Sequence, residues 1–179
     1  MNIGIDIGRV LICPTIDGQA DTRFLGKTVA EALPTPPAEG AFAVVHDLVE
    51  ATRGHVWLVS KAGPSVERKT RLWLEHHDFY ARTGMTPDQV RFCRQRHEKA
   101  DHCSELGIEA FLDDRRDVLE HLRGQVEHLL LFGEQDSAPP DWVTHLGDWK
   151  RVREWFDVRV ELPAGTAPED LPSKGAGPA

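Results

Sequence analysis

The sequence predicts an α/β protein: one parallel sheet with helices packed on both faces. Three observations carry this. Short, uniformly apolar runs alternate with longer stretches whose apolar residues recur at helical spacing. The runs lack the in–out alternation of half-solvated strands, as strands buried on both faces should. The 179 residues suit one domain with a sizeable core.

The first apolar run is Asn2 to Ile7, a strand with Gly4 inside it. Pro14, Asp17 and Gly18 then mark a loop or a small hairpin. After Pro34, Pro36 and Pro37, residues Phe42, Val45, Leu48 and Val49 share one helical face, and Gly54 is a suitable stop. His55 to Ser60 is a second buried-type strand. Pro64 opens a helix whose inner face carries Val66, Thr70, Trp73, Leu74 and His77. Val90 to Cys93 forms a third strand, and Glu98 to Leu106 a helix closed by Gly107. Ile108 to Leu112 is a fourth strand running straight into Asp113 and Asp114. A helix over 117–122 and a fifth strand over 126–132 follow. Trp149, Val152, Trp155 and Phe156 lie on one side of a last helix. The domain is therefore expected over 1–157, with a tail over 158–179 that lacks apolar periodicity and is disordered from 163.

Composition narrows the function classes. The formal charge of −8 gives no general attraction to nucleic acid, so an anionic partner needs a local site. No apolar run is long enough to span a membrane, and no basic-then-apolar leader opens the chain. Three cysteines, none in a C-x-x-C pair, fit free thiols in a reducing, cytoplasmic setting.

Chemistry gathers at the ends of the predicted strands, where open parallel sheets bind ligands. Strand one ends at Asp6, strand two at Ser60, strand four at Asp113–Asp114, and Lys99 stands in the helix before strand four. Carboxylates from two strand ends can hold a hard divalent cation. A serine hydroxyl and a lysine ammonium suit a phosphate. Ser60-Lys61-Ala62-Gly63 also leads into a helix start, where free N–H groups favour an anion. A lone Asp after a strand is usually a cap or turn residue. Four such features in this order are far more specific.

In these residues the chain resembles the haloacid dehalogenase (HAD) superfamily. Its D-x-D-x-[TV] motif is matched by I-G-I-D-I-G-R-V-L, its strand-end Ser by V-W-L-V-S, its Lys by Lys99, and its acidic strand end by F-L-D-D-R-R-D. The stretch from Ser60 to Leu122 also looks like deoxyribonucleotidase-type members, more weakly. The resemblance implies a Rossmannoid fold with Asp6 on a central strand and an Mg²⁺-dependent phosphomonoester hydrolase. Asp6 would be the nucleophile and a metal ligand. Ser60 and Lys99 would hold the phosphoryl group with help from Lys61. The Gly8 carbonyl, Asp113 and Asp114 would complete the metal site. The 53 residues between Asp6 and Ser60, and the 38 between Ser60 and Lys99, leave no room for a large cap domain. Residues Leu11 to Thr35 could form a minimal one. The open site fits a phosphorylated substrate, with a nucleotide as the first guess.

One position departs from the pattern. Family phosphatases usually carry a second Asp where Gly8 stands, and it serves as acid and base. Asp17 is a candidate replacement. The alternative reading is a non-hydrolytic Mg²⁺- and phosphate-binding protein. Other patterns are set aside. G-I-D-I-G resembles a loop of actin-like sugar kinases, but 179 residues cannot hold their two domains. His97-Glu98 and His102 stand one residue too far apart for an H-E-x-x-H zinc helix. The Arg-rich stretch 91–97 reads first as solvated surface.

Overall fold

The structure is a computed structural model. It describes residues 1–12, 15–16, 19–20 and 26–163. Among these, the main sheet has six parallel strands: β1 (Ile3–Ile5), β4 (Val56–Lys61), β5 (Val90–Cys93), β6 (Ala110–Asp113), β7 (His128–Phe132) and β8 (Thr144–Leu146). Their order across the sheet is β5-β4-β1-β6-β7-β8, so β1 is interior and is bonded to β4 and β6. A two-stranded antiparallel hairpin, β2 (Thr15–Ile16) and β3 (Gln19–Ala20), follows β1. The helices are α1 (Val29–Ala32), α2 (Ala41–Thr52), α3 (Pro64–His76), α4 (Phe79–Thr83), α5 (Lys99–Glu105), α6 (Arg116–His121) and α7 (Trp149–Val160).

The uniform apolarity of the inner strands reflects burial on both sides. Ile3, Ile5, Leu112 and Leu130 join one cluster with the inner faces of α2, α3 and α7. Val59, Phe111, Leu129 and Leu131 join the other with Cys103, Leu119 and Leu122 from α5, α6 and the turn after it. Gly4 is required by this second layer. A Cβ there would sit 2.4 Å from Phe111 Cδ2, on the neighbouring strand. At the end of α2, Arg53 and Gly54 both take left-handed backbone and stop the helix as expected. Trp73 and Trp149 are core residues, and Trp155 packs partly buried against the same cluster.

Some elements differ from expectation. The sheet gains a sixth strand, β8, and α1 and α4 are additional short helices. The starts of β1, β4, β6 and β7 shift inward by one or two residues, whereas β5 has its expected bounds. The last helix runs on to Val160, and Leu162 packs against the core, so the packed chain continues past 157. Asp17, Cys13 and residues 164–179 lie outside the described residues. No helix among the described residues is long and apolar enough to cross a membrane.

Candidate functional site

Each chemically useful side chain stands where a strand of this sheet gives out. Asp6 directly follows β1, its N–H donating to Leu112 O at 2.9 Å, which fixes it beside the end of β6. Asp113 is the last residue of β6, and Asp114 the next. Ser60 and Lys61 end β4. These ends surround an open cleft of about 220 Å³ lined by Asp6, Gly8, Ser60, Lys61, Lys99 and Asp114, among others. The structure thus brings the sequence-predicted residues together at one edge of the sheet.

Within the cleft the carboxylates form a compact trio. Asp6, Asp113 and Asp114 each present an oxygen within 4.8 Å of the other two. Lys99, 2% exposed, bridges two of them, Nζ donating to Asp6 Oδ1 at 2.8 Å and to Asp113 Oδ2 at 2.7 Å. The backbone N–H of Arg115 donates to the other Asp113 oxygen at 2.9 Å. Adjacent residues at a strand end point opposite ways. Asp113 therefore faces inward to Lys99, whereas Asp114 turns to the cleft and lies 3.4 Å from Arg9 Nε.

The electrostatics follow from burying three acids side by side. Burial pushes the Asp113 carboxyl up to about 7, with Asp6 and Asp114 adding to the push and Lys99 opposing it. Burial and the Asp6 charge push Asp114 up to about 6, against Arg9, Lys99 and Arg115. Burial alone would lower the Lys99 ammonium, but Asp113 and Asp6 more than offset it and hold it above its usual range. Three hard oxygen donors with a surplus of negative charge are a donor set that fits a divalent cation such as Mg²⁺.

Around this trio the cleft wall is cationic. Arg9, Arg96 and Arg115 line it with Lys61 and Lys99, against two lining carboxylates, Asp6 and Asp114. Arg96 comes from the stretch read as solvated surface. Its guanidinium lies 3.6 Å from Asp117, which Arg115 also grips at 2.9 and 3.1 Å. Val66 and Thr70, on the first turns of α3, give the opposite wall. Arg115 and Thr70 were not singled out as site residues. Arg115 stood in view inside the run D-D-R-R-D, but nothing in the sequence separates it from Arg116.

The loop from Ile7 to Ile12 is held in place from below. Ile7 O accepts the N–H groups of Val10, Leu11 and Ile12, and Trp149 Nε1 donates to Val10 O at 2.8 Å. Gly8 is not among the positive-φ glycines, whereas Arg9 takes left-handed backbone at φ 59°. A non-glycine residue there stores about 1–3 kcal/mol of strain and commonly marks a functional turn. The segment after the hairpin is tied to α3, with Lys69 Nζ donating to Gly26 O and Trp73 Nε1 to Thr35 O. Among the described residues nothing larger than this hairpin and α1 lies between β1 and α2.

No protein-family model matches the chain, and no curated protein matches it. Among solved structures it is similar to a haloacid dehalogenase-like family hydrolase from Xanthomonas campestris. The identity is 12% and the TM-score 0.51, over 89% of this chain and 96% of the other. It is also similar to a de novo designed Rossmann 3x3 fold protein at 8% identity and a TM-score of 0.42, over 93% of this chain and 100% of that one. The first likeness is one of fold: this chain has a Rossmann-like α/β architecture shared with a HAD-like hydrolase.

Proposed function

We propose that the chain is a phosphohydrolase that works through an aspartyl-phosphate on Asp6. The observation that carries this reading is the buried bridge of Lys99 between Asp6 and Asp113, at the floor of a cation-lined cleft. A structural lysine has little reason to sit fully buried between two strand-end carboxylates beside an open cleft. Buried charge clusters are costly, and they gather where chemistry needs them.

In this reading a carboxylate oxygen of Asp6 attacks phosphorus while Lys99 holds the other carboxylate oxygen and fixes the rotamer. Ser60, at the end of β4, donates to the phosphoryl oxygens, with the exposed Lys61 ammonium beside it. Asp6, Asp114, Asp113 and the Gly8 carbonyl would hold Mg²⁺. When bound, it supplies charge neutralisation and orientation for the phosphoryl group. The cleft is open at its mouth, which suits a substrate held mainly by its phosphate. A nucleotide remains the first candidate, and a cytoplasmic setting fits the free thiols. Cys93 and Cys103 are free and buried.

A second reading has its own observation. Gly8 offers no side chain to protonate a leaving group, so the site would bind Mg²⁺ and phosphate without efficient turnover. One experiment separates the two. Purified protein is assayed with nitrophenyl phosphate in Mg²⁺ and in EDTA, alongside Asp6→Asn. Mg²⁺-dependent turnover that Asp6→Asn lowers at least about 10³-fold is expected. Thermal stabilisation by Mg²⁺ and phosphate with no turnover would favour the binding reading.

A further inference from the structure

The Arg-rich stretch 91–97 bears on the cleft in two ways. Arg96 lines it directly. Arg94 does not line it, yet its side chain crosses from the end of β5 to the loop that follows β4. Its Nη1 donates to Ala62 O, and its Nη2 lies 2.9 Å from Glu67 Oε2 on the first turn of α3. The Arg94 side chain is 51% exposed, and ion pairs so exposed add little to stability. What this one fixes is the backbone of Ser60-Lys61-Ala62-Gly63, the loop that lines the cleft beside Asp6 and Lys99.

Peptide geometry gives that bond its consequence. In a trans peptide the C=O of one residue and the N–H of the next point in opposite directions. Ala62 O is turned to Arg94, which is not among the residues lining the cleft, so the Gly63 N–H is turned away from Arg94. Gly63 itself lines the cleft, and among the described residues its N–H has no acceptor. The Ala62 N–H is held as well, donating to Cys93 O at 3.0 Å. Both backbone polar groups of Ala62 are thus committed to the end of β5 and the turn after it. That turn is fixed by Glu98, whose Oε2 accepts the N–H groups of Gln95 at 3.0 Å and Arg94 at 2.8 Å. These two bonds hold the Glu98 carboxyl below its usual range. The next residue is Lys99, at the cleft floor. One turn therefore places both the floor lysine and the clamp on the loop after β4.

We infer that Arg94 is a positioning residue for the anion seat: by holding Ala62 O it aims the Gly63 N–H, beside Ser60 and Lys61, at a bound phosphoryl group. The inference rests on taking this loop as the phosphate seat, which the hydrolytic and the binding readings above share. Arg94 acts through the backbone it holds and not through its own charge. Its planar guanidinium fork serves the carbonyl and Glu67 at once, whereas a lysine ammonium is a single point charge with no fixed fork. Arg71 supplies a comparison within the same cluster. It grips the other oxygen of Glu67, Nε at 3.3 Å and Nη2 at 3.2 Å, and its side chain is 40% exposed, but it makes no hydrogen bond to the loop.

The test measures the Kd of orthophosphate for the full chain in Mg²⁺ by calorimetry, with thermal melts beside it. Arg94→Gln should raise that Kd about tenfold, Arg94→Lys less, and Arg71→Gln by less than about twofold. The loss in Arg94→Gln should persist at 1 M NaCl, where the Debye length is roughly 3 Å and a charge outside the cleft no longer acts on the anion. KM for nitrophenyl phosphate should rise with the Kd while kcat changes less. If Arg94→Gln melts below the assay temperature, Arg94→Lys decides by the same comparison with Arg71→Gln and the same salt criterion. Equal losses in the Arg94 and Arg71 variants, or a loss that vanishes at 1 M NaCl, would overturn the inference and leave the phosphohydrolase reading intact. Phosphate bound without turnover of nitrophenyl phosphate, with the same loss in Arg94→Gln, would sustain the inference and remove the hydrolytic reading. No phosphate bound by the unaltered chain would overturn both.

Discussion

Lys99 has two carboxylates within hydrogen-bond distance and almost no contact with solvent. Removing it leaves Asp6 and Asp113 facing each other in a low-dielectric floor, so Lys99→Met should cost about 3–5 kcal/mol at pH 8. The cost should depend on pH. The Asp113 carboxyl is raised from 3.8 to about 7, so the folded state holds its proton more tightly than the unfolded chain does. The stability from that proton is complete below the unfolded value and is lost as pH rises through about 7. A protonated Asp113 no longer needs a cation, so Lys99→Met should cost less at pH 5 than at pH 8. Urea unfolding in EDTA at both values checks this, and an equal cost at the two would count against it. Asp6, Ser60, Lys99 and the Asp113–Asp114 pair were legible in the sequence because each follows or precedes an apolar run that could only be a buried strand. The division of labour within the pair was not legible. It depends on which face each carboxylate meets, and Lys99 settles that for Asp113 from 14 residues away.

The carboxylate-bearing edge is only as well placed as the pairing of β1 with β6. Gly4 lies opposite Phe111 in that pairing, and the Phe111 ring packs where a Cβ would be. The same ring lies 5.4 Å from Lys99 Nζ. Gly4→Ala should therefore overpack the layer, at about 1–3 kcal/mol, and push the ring against the lysine. Adding Phe111→Leu should recover part of the loss, because the smaller side chain vacates the contact. Thermal melts of the two single variants and the double variant measure the coupling. Strictly additive costs would mean the two residues do not meet. At this scale the inner strands and the long helices α2, α3 and α7 were readable, since apolar periodicity survives over many residues. Strand β8 was not. Two of its three residues are exposed, it sits at the sheet edge, and it follows a proline-containing loop, so it has no apolar run to announce it. Helices α1 and α4 span four and five residues, too short for a period to show.

Across the whole molecule two opposed fields would act on the proposed anionic substrate. The chain carries a formal charge of −8, yet its cleft presents five cationic side chains against two lining carboxylates. Which field dominates depends on distance and therefore on salt. At 0.01 M ionic strength the Debye length is roughly 30 Å, and an approaching dianion is repelled by most of the protein. At 0.1 M it is roughly 10 Å, so the distant acids are screened while the cleft arginines still act within a few ångströms. Near 1 M it is roughly 3 Å, and the local attraction weakens as well. The expected profile of kcat/KM for nitrophenyl phosphate is thus a rise from 0.01 to 0.1 M and a fall toward 1 M, at fixed Mg²⁺. An enzyme steered by its overall charge toward an anion would fall throughout. Arg96→Gln with Arg115→Gln should flatten the high-salt limb and leave the low-salt rise, because the rise comes from the rest of the surface. Steady-state rates at those three ionic strengths decide it, and a monotonic fall from 0.01 M would mean that the cleft cations, rather than the surface acids, govern approach from long range.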